Sequence, residues 1–276
     1  MIPLKGPDEI LNKESSVDGE EKKKSKTPDL LVELALDMGC QLFLDQFSEP
    51  QIQFPEKPAV GFPLRGGVFK RWLAGVWWEE SGQGFSTEDF SRAMASLEGR
   101  AHYENQKKVL YNRVAKIKNT IYYDMGDDVR VVRITKKGWK VMEAAEALFR
   151  RYTHQREQVT PEKNGKLQDV LKFVNFKNPT DRLLFLTYLV GSLFPDVPRC
   201  LIIAVGVQGS AKSTLLRVAR SLIDPSRIEL LKMRSSIDEL SQMAAHHYCL
   251  YLDNLSYLSD SGSDSLSGFV TGLGFT

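Results

Sequence analysis

A lysine and a serine adjoin each other at the end of a glycine-containing segment, Gly206-Val-Gln-Gly-Ser-Ala-Lys-Ser-Thr214. The apolar run 201–205 precedes it and predicts a strand buried on both faces. Apolar residues continue after it at helical spacing, at Leu215, Leu216, Val218, Ala219 and Leu222. Strand, glycine-rich loop, Lys-Ser and helix form the context of a P-loop, which predicts a nucleotide phosphate site.

Each part of this segment has a defined role in phosphate chemistry. Glycines let backbone N–H groups turn inward around phosphates, and the following helix adds unpaired N–H donors. The ammonium of Lys212 is placed for the β/γ oxygens and the hydroxyl of Ser213 for Mg²⁺. Ala211 replaces the final glycine of the usual pattern. If this position needs a positive φ, alanine adopts it less readily than glycine does. The predicted ATP-binding residues are Gly206, Gln208, Gly209, Ser210, Ala211, Lys212, Ser213 and Thr214.

A second acidic position is required to hold Mg²⁺ beside the phosphates, and Asp253 ends an apolar run that starts at His247. Ser213 and Asp253 are therefore the predicted metal ligands, and Lys212, Asp253 and Asn254 the predicted catalytic residues. The alternative role for Asp253 is to cap the next turn. Asn254 can orient water but cannot accept its proton, so a base must come from elsewhere or hydrolysis is slow.

Other chemically suggestive residues carry weaker signals. Asp238 and Glu239 are possible bases, although such pairs usually lie on an exposed helix face. His246 and His247 are adjacent on a predicted strand and point to opposite faces, which disfavours a shared metal.

The elements that would position the loop fall into four predicted segments. We expect a disordered leader over 1–28, a small α+β domain over 29–156, a linker and helical collar over 157–199, and an incomplete P-loop ATPase domain over 200–276. The second segment contains a helix starting at Thr27, a hairpin between 42–44 and 52–54, two helices, and a hairpin between 121–123 and 129–134. A helix over 181–194 is apolar nearly all round, which favours burial over an oligomer contact.

Composition excludes several classes of protein. The chain has 276 residues, a net charge of +2 and three scattered cysteines, which fits a reducing cytoplasm and disfavours a disulfide scaffold. The longest apolar stretch, 183–194, is too short to span a bilayer, and the N-terminus has no secretory h-region. Nucleic-acid affinity would have to come from a local patch rather than from the global charge.

These motifs together resemble a known group. The segments 206–215, 222–225, 251–256 and 267–276 are similar to the P-loop ATPases of phages, plasmids and integrative elements, which are related to superfamily-three and poxvirus-type primase-helicases. Shorter pieces at 69–73, 97–101, 113–115 and 138–141 extend the resemblance over about residues 40–276. The resemblance implies an AAA+-like α/β fold, ATP and Mg²⁺ as cofactors, and a hexameric motor that translocates on single-stranded DNA during replication.

One stretch of the chain is compatible with DNA contact. Residues 130–156 hold eight basic residues against two acidic ones, with Trp139 and Tyr152 interleaved. This pattern suits phosphate contact with base stacking, and it equally suits a solvated strand and helix face.

Three functions remain open at this level. The first is a replicative helicase-type ATPase, and the second a nucleotide-binding regulatory or DNA-tethering fragment without turnover. The third, a P-loop small-molecule kinase, is disfavoured because no arginine-rich lid follows Asp253. No sensor strand or arginine finger follows within this chain, and Arg217 and Arg220 lie on the loop's own helix, so we expect slow hydrolysis.

Overall fold

The computed structural model describes residues 27–143, 145–197, 201–232, 237–254 and 260–271. Most of the expected leader, Cys200, and Leu255 and Ser256 of the C-terminal motif lie outside these residues. The chain divides into two compact units, residues 1–57 with 61–109 and residues 58–60 with 110–276.

The first unit packs three helices and three strands. Its elements are α1 (Thr27–Asp37), β1 (Gln41–Leu44), β2 (Pro50–Gln53), β3 (Val60–Pro63), α2 (Gly67–Ser81) and α3 (Thr87–Glu104). The strands β1, β2 and β3 are antiparallel neighbours, with Leu42 opposite Ile52 and Ile52 opposite Phe62. The predicted hairpin and all three predicted helices of this region are confirmed.

Helix α3 shows how local sequence sets a boundary. The Ser86 hydroxyl accepts a hydrogen bond from Asp89 N, while the Asp89 carboxylate accepts one from Ser86 N, forming a capping box. Buried Ala93, Met94 and Leu97 then recur on one face. The helix ends at Glu104, and Asn105 follows as its C-cap with a positive φ of 47° in the left-handed region.

The second unit begins with a β-rich segment. Its strands are β4 (Leu110–Tyr111), β5 (Val114–Ile117), β6 (Thr120–Asp124), β7 (Arg130–Thr135), β8 (Gly138–Glu143) and β9 (Leu148–Arg150). β5 to β8 form a four-stranded antiparallel sheet, which confirms the predicted hairpin between β6 and β7. β4 pairs with β9 in parallel. One face of the sheet buries Val114, Tyr123, Met125 and Val132.

Helices dominate the remainder of this unit. A 3₁₀-helix (Leu167–Lys172) precedes α4 (Pro179–Gly191), α5 (Lys212–Ile223), β10 (Leu231–Lys232), α6 (Ile237–His246), β11 (Leu252–Asp253) and α7 (Asp260–Thr271). β10 and β11 are parallel strands connected through α6. A core joins α4, α5 and the approach to β11 through Phe185, Leu189, Ala219, Ile223, Cys249 and Tyr251.

The prediction of a doubly buried strand at 201–205 is wrong. Residues 201–206 are not in a strand, and Leu201, Ile203 and Val205 are 52%, 71% and 89% exposed. The physical reason is that β10 and β11 pair with each other over two residues, and among the described residues no strand pairs with this run. An apolar run forms a buried strand only where neighbouring strands complete its hydrogen bonds.

The prediction that the apolar helix over 181–194 is buried is confirmed for one side of the helix only. Helix α4 buries Phe185 and Leu189, but Leu183 and Leu184 are 65% and 60% exposed and Val190 is 44% exposed. The helix packs along one side, against α5 and the 3₁₀-helix, and its other side is not covered by the described residues.

The observed division differs from the domain boundaries expected from the sequence, because residues 110–156 fall in one unit with the glycine-rich segment. Buried contacts such as the Arg113–Asp224 ion pair join these regions. The described chain is mixed α/β with several sheets. None of its described helices combines the length and hydropathy needed to cross a bilayer.

Candidate functional site

The glycine-rich segment bends into the N-terminus of α5 through two residues with positive φ. Gly209 has φ of 81° and Ala211 has φ of 62°, so the site expected to need glycine is occupied by an alanine in the left-handed region. The first helical hydrogen bond runs from Leu215 N to Ala211 O at 3.0 Å. The N–H groups of Lys212, Ser213 and Thr214 precede it and lack helical acceptors, which makes this helix end suited to an anion.

The loop itself is tightly turned. Ser210 N donates to Val207 O at 3.2 Å, and a Cβ at position 206 would lie 2.5 Å from Ser210 Oγ. A side chain at position 206 would therefore require the Ser210 hydroxyl to move. Gln208, Gly209 and Ser210 are exposed, so their backbone is accessible to a ligand.

Lys212 folds back over this loop. Its Nζ donates to Gly206 O at 2.9 Å and to Val207 O at 2.8 Å. The ammonium is thereby held at the mouth of the turn by neutral acceptors, which a phosphate oxygen can replace with a stronger, charge-assisted partner.

Ser213 and Asp253 meet although they are 40 residues apart in sequence. Ser213 Oγ lies 3.0 Å from Asp253 Oδ1 and 2.9 Å from Oδ2. Both side chains are half-buried. A hydroxyl and a carboxylate are oxygen ligands of the kind Mg²⁺ prefers, and they converge here beside a helix N-terminus. The chemistry of the donor set therefore fits a Mg²⁺–phosphate ligand.

Asp253 reaches this place through the β10–β11 pair. Lys232 is its partner in the parallel register, and Leu231 N donates to Tyr251 O at 2.8 Å. Asn254 follows with φ of 59°, and its N–H donates to Asp253 Oδ1 at 2.9 Å. Asn254 is exposed and supports the orientation of Asp253 through its backbone.

Helix α5 is fixed at its C-terminal end by a buried ion pair between Arg113 and Asp224, which lie in two segments of the resemblance but whose pairing the sequence did not predict. Arg113 Nε lies 3.1 Å from Asp224 Oδ1, with side-chain exposures of 0% and 2%. Arg113 Nη1 also donates to Asp124 O, and its Nη2 to Arg156 O and Pro225 O. Asp224 Oδ2 accepts from Tyr248 N at 3.1 Å, which connects the end of α5 to the chain leading to Asp253.

The last carbonyls of α5 also have side-chain donors. Gln158 Nε2 donates to Ser221 O and Leu222 O, and Tyr123 Oη donates to Ile223 O at 3.1 Å. Satisfied carbonyls at this end fix the direction of the helix and hence the placement of its N-terminus at the glycine-rich loop.

Two neighbouring imidazoles, the buried His247 and the half-buried His154, lie beside the same helix. His247 Nδ1 is 3.0 Å from Arg220 Nη2, and the His154 and His247 rings have centroids 4.0 Å apart. The pKa of His247 is lowered to about 4, chiefly by burial and in addition by the neighbouring His154 and Arg220. Because Arg220 only donates, His247 Nδ1 must accept, so its neutral form is the one that fits.

Thr214 belongs to the site through its backbone N–H, and the remaining candidates are placed elsewhere. Thr214 is exposed on α5, Glu239 is exposed on α6, and the side chain of Asp238 lies outside the described residues. Arg217 pairs with Glu229 at 3.0 Å and Arg220 is buried. Among the described residues, no group of three His, Cys, Asp or Glu side chains is placed to hold a metal ion.

The described site is thus a glycine-rich loop at a helix N-terminus with a hydroxyl and carboxylate pair, carried by a mixed α/β unit. Residues 167–274 match the model of a family described as actinomycete integrative conjugative element replication proteins. A search of curated proteins and a search of solved structures each found no match. The matched range contains the glycine-rich loop and Asp253, and it supports a replication-related protein of an integrative conjugative element.

Proposed function

We propose that this protein is a Mg²⁺-dependent ATPase of the helicase type, acting on DNA in the replication of an integrative conjugative element. The observation that carries the proposal is the contact of Ser213 Oγ with both carboxylate oxygens of Asp253, at 3.0 and 2.9 Å, next to the N-terminus of α5. The match to a replication protein family supports the biological setting.

The roles of the residues follow from their chemistry. The loop from Gly206 to Ala211 and the first N–H groups of α5 would surround the phosphates of ATP. Lys212 would exchange its two carbonyl partners for phosphate oxygens, and Ser213 and Asp253 would hold Mg²⁺, which neutralises phosphate charge when bound.

A nucleotide-binding protein without turnover is the second candidate. It is favoured by Asn254, which stands directly after the metal-binding aspartate and cannot take a proton from water. The third candidate, a small-molecule kinase, would transfer phosphate to an acceptor other than water.

The test is ATP turnover with and without single-stranded DNA, in the full chain, in Lys212→Ala and in Lys177→Ala as a matched surface control. We expect turnover that DNA stimulates, that Lys212→Ala abolishes and that Lys177→Ala retains. Lys212-dependent ATP binding without turnover would identify the second candidate. Absence of ATP binding, or binding unaffected by Lys212→Ala, would refute the nucleotide site.

A further inference from the structure

An open cleft of about 610 Å³ lies at the end of the β7–β8 hairpin, where the segment 162–165 approaches the turn. It is separate from the nucleotide site proposed above, none of whose residues lines it. The side chains that give the cleft its character are Arg133, Lys137, Trp139, Lys140, Glu162 and Lys163.

The cleft carries a concentrated positive charge, with four basic side chains against one carboxylate. Among the described residues, Arg133, Lys137, Lys140 and Lys163 form no ion pair. Neighbouring arginines differ, because Arg130 pairs with Asp127 and Glu157 and Arg151 pairs with Asp124 and Asp128. The basic stretch 130–156 therefore contains arginines that form ion pairs within the protein and basic residues of the cleft that form none among the described residues.

The register of the β7–β8 pair is a second indication that the cleft favours an anion. Arg133 and Lys140 are direct cross-strand partners in the β7–β8 ladder. Like charges directly opposite each other destabilise a sheet, and among the described residues neither Arg133 nor Lys140 forms an ion pair, although Glu162 lines the same cleft. An anion bound between them removes that repulsion.

One aromatic side chain is available at the cleft. Trp139 lines it and is 38% exposed. It pairs with Ile134, on the face of β8 opposite to Lys140, so a bound strand would pass over the end of the hairpin to contact both side chains. Tyr152, the other aromatic residue of the basic stretch, is engaged elsewhere: its hydroxyl donates to Ala245 O, and its ring packs on His154 and His246. Of Trp139 and Tyr152, only Trp139 is therefore available to stack on a base.

We propose that the hairpin cleft, defined by Arg133, Lys137, Trp139, Lys140 and Lys163, binds the sugar–phosphate backbone of single-stranded DNA, with Trp139 stacking on a base. Unpaired cations together with an accessible indole match a ligand that carries both phosphates and planar bases. An acidic protein would use the cations but leave the indole without a role. The inference rests on the proposed replication role, and it does not depend on ATP binding.

The test is fluorescence anisotropy of a labelled fifteen-nucleotide dT oligomer with the full chain, without nucleotide, over a series of salt concentrations. Lys137→Gln/Lys140→Gln should weaken binding about tenfold and lower the salt slope by about 1.4, because two phosphate contacts are lost. Lys172→Gln/Lys177→Gln removes the same charge from exposed lysines that do not line the cleft, and it should leave both values unchanged.

Trp139→Ala should weaken binding about fivefold or more without changing the salt slope, and Trp139→Phe should restore most of the affinity. Thermal melting of every variant verifies folding, and the phenylalanine variant keeps the test valid if the alanine variant is unstable. Lys212→Ala should bind the oligomer as the unmodified chain does.

Several results would overturn the inference. One is equal weakening by the cleft pair and the control pair, and another is tighter binding of a fifteen-base-pair duplex than of the dT oligomer. A poly-glutamate peptide that competes with the same dependence on Trp139 would also refute it. If the unmodified chain binds the dT oligomer but not ATP, only the proposed nucleotide site is refuted. If it binds ATP but not the oligomer, only the proposed cleft is refuted.

Discussion

Replacing Asp224 with asparagine should destabilise the second unit strongly, because it leaves the Arg113 charge without a counterion. The Arg113 and Asp224 side chains are 0% and 2% exposed, and their Nε and Oδ1 atoms are 3.1 Å apart. Asparagine keeps the size but only one acceptor oxygen, so the change removes the charge and also one of the two acceptors that Arg113 Nε and Tyr248 N use.

The expected loss of unfolding free energy in Asp224→Asn follows from the burial of the ion pair. Removing one partner of a buried ion pair costs about 3–5 kcal/mol. This is a large part of a typical unfolding free energy of about 5–15 kcal/mol. With about 2–4 °C of melting temperature for each kcal/mol in a unit of this size, Asp224→Asn should lower the melting temperature by about 6–20 °C.

The matched control is Glu229→Gln, because Glu229 pairs with Arg217 of the same helix at side-chain exposures of 56% and 49%. An exposed ion pair contributes about 0–1 kcal/mol. Urea and thermal unfolding of both variants give the comparison. A cost below about 1 kcal/mol for Asp224→Asn, equal to that of Glu229→Gln, would refute the reasoning that this pair joins the sheet to α5.

Three further predictions follow from single positions. Ala211→Gly should raise stability by about 1 kcal/mol, because φ is 62° there, and a lower melting temperature would contradict this. Gly126→Ala should destabilise by about 2 kcal/mol or more, because its Cβ would lie 2.7 Å from Arg156 O and φ is 87°; an unchanged urea midpoint would be inconsistent with that geometry. The pKa of His247 is lowered from 6.5 to about 4, so its contribution to stability is complete above pH 6.5 and is lost as pH falls towards 4. His247→Gln should reduce the fall of the urea midpoint over that range, and an unaltered pH profile would disprove the contribution.

Local features were predictable because their determinants are close in sequence. The capping box of α3 joins Ser86 and Asp89, which are three residues apart, and the β6–β7 hairpin follows from two apolar runs around a Gly-Asp-Asp turn. The sequence also predicted Ser213 and Asp253 as joint Mg²⁺ ligands, and the structure brings their side chains into contact.

Long-range features were not predictable from pattern alone. Arg113 and Asp224 are 111 residues apart, and neither the spacing nor the residue type indicates that they pair. The apolar run 201–205 has the composition of a buried strand, yet burial depends on neighbouring strands that the run does not specify. Which basic residues of 130–156 are paired likewise depends on the positions of distant carboxylates such as Glu157.

The central claim is that Ser213 and Asp253 form the Mg²⁺ side of an ATP site, and its most direct test is the Mg²⁺ dependence of ATP binding. Isothermal titration calorimetry would compare Mg²⁺ with EDTA in the full chain, in Ser213→Ala and in Ser221→Ala. The last variant makes the same change at the far end of α5, where Ser221 Oγ donates to Val218 O. The account predicts tighter ATP binding with Mg²⁺ in the full chain and in Ser221→Ala, and loss of that difference in Ser213→Ala. ATP binding that is absent, or equally strong with EDTA and unaffected by Ser213→Ala, would contradict it.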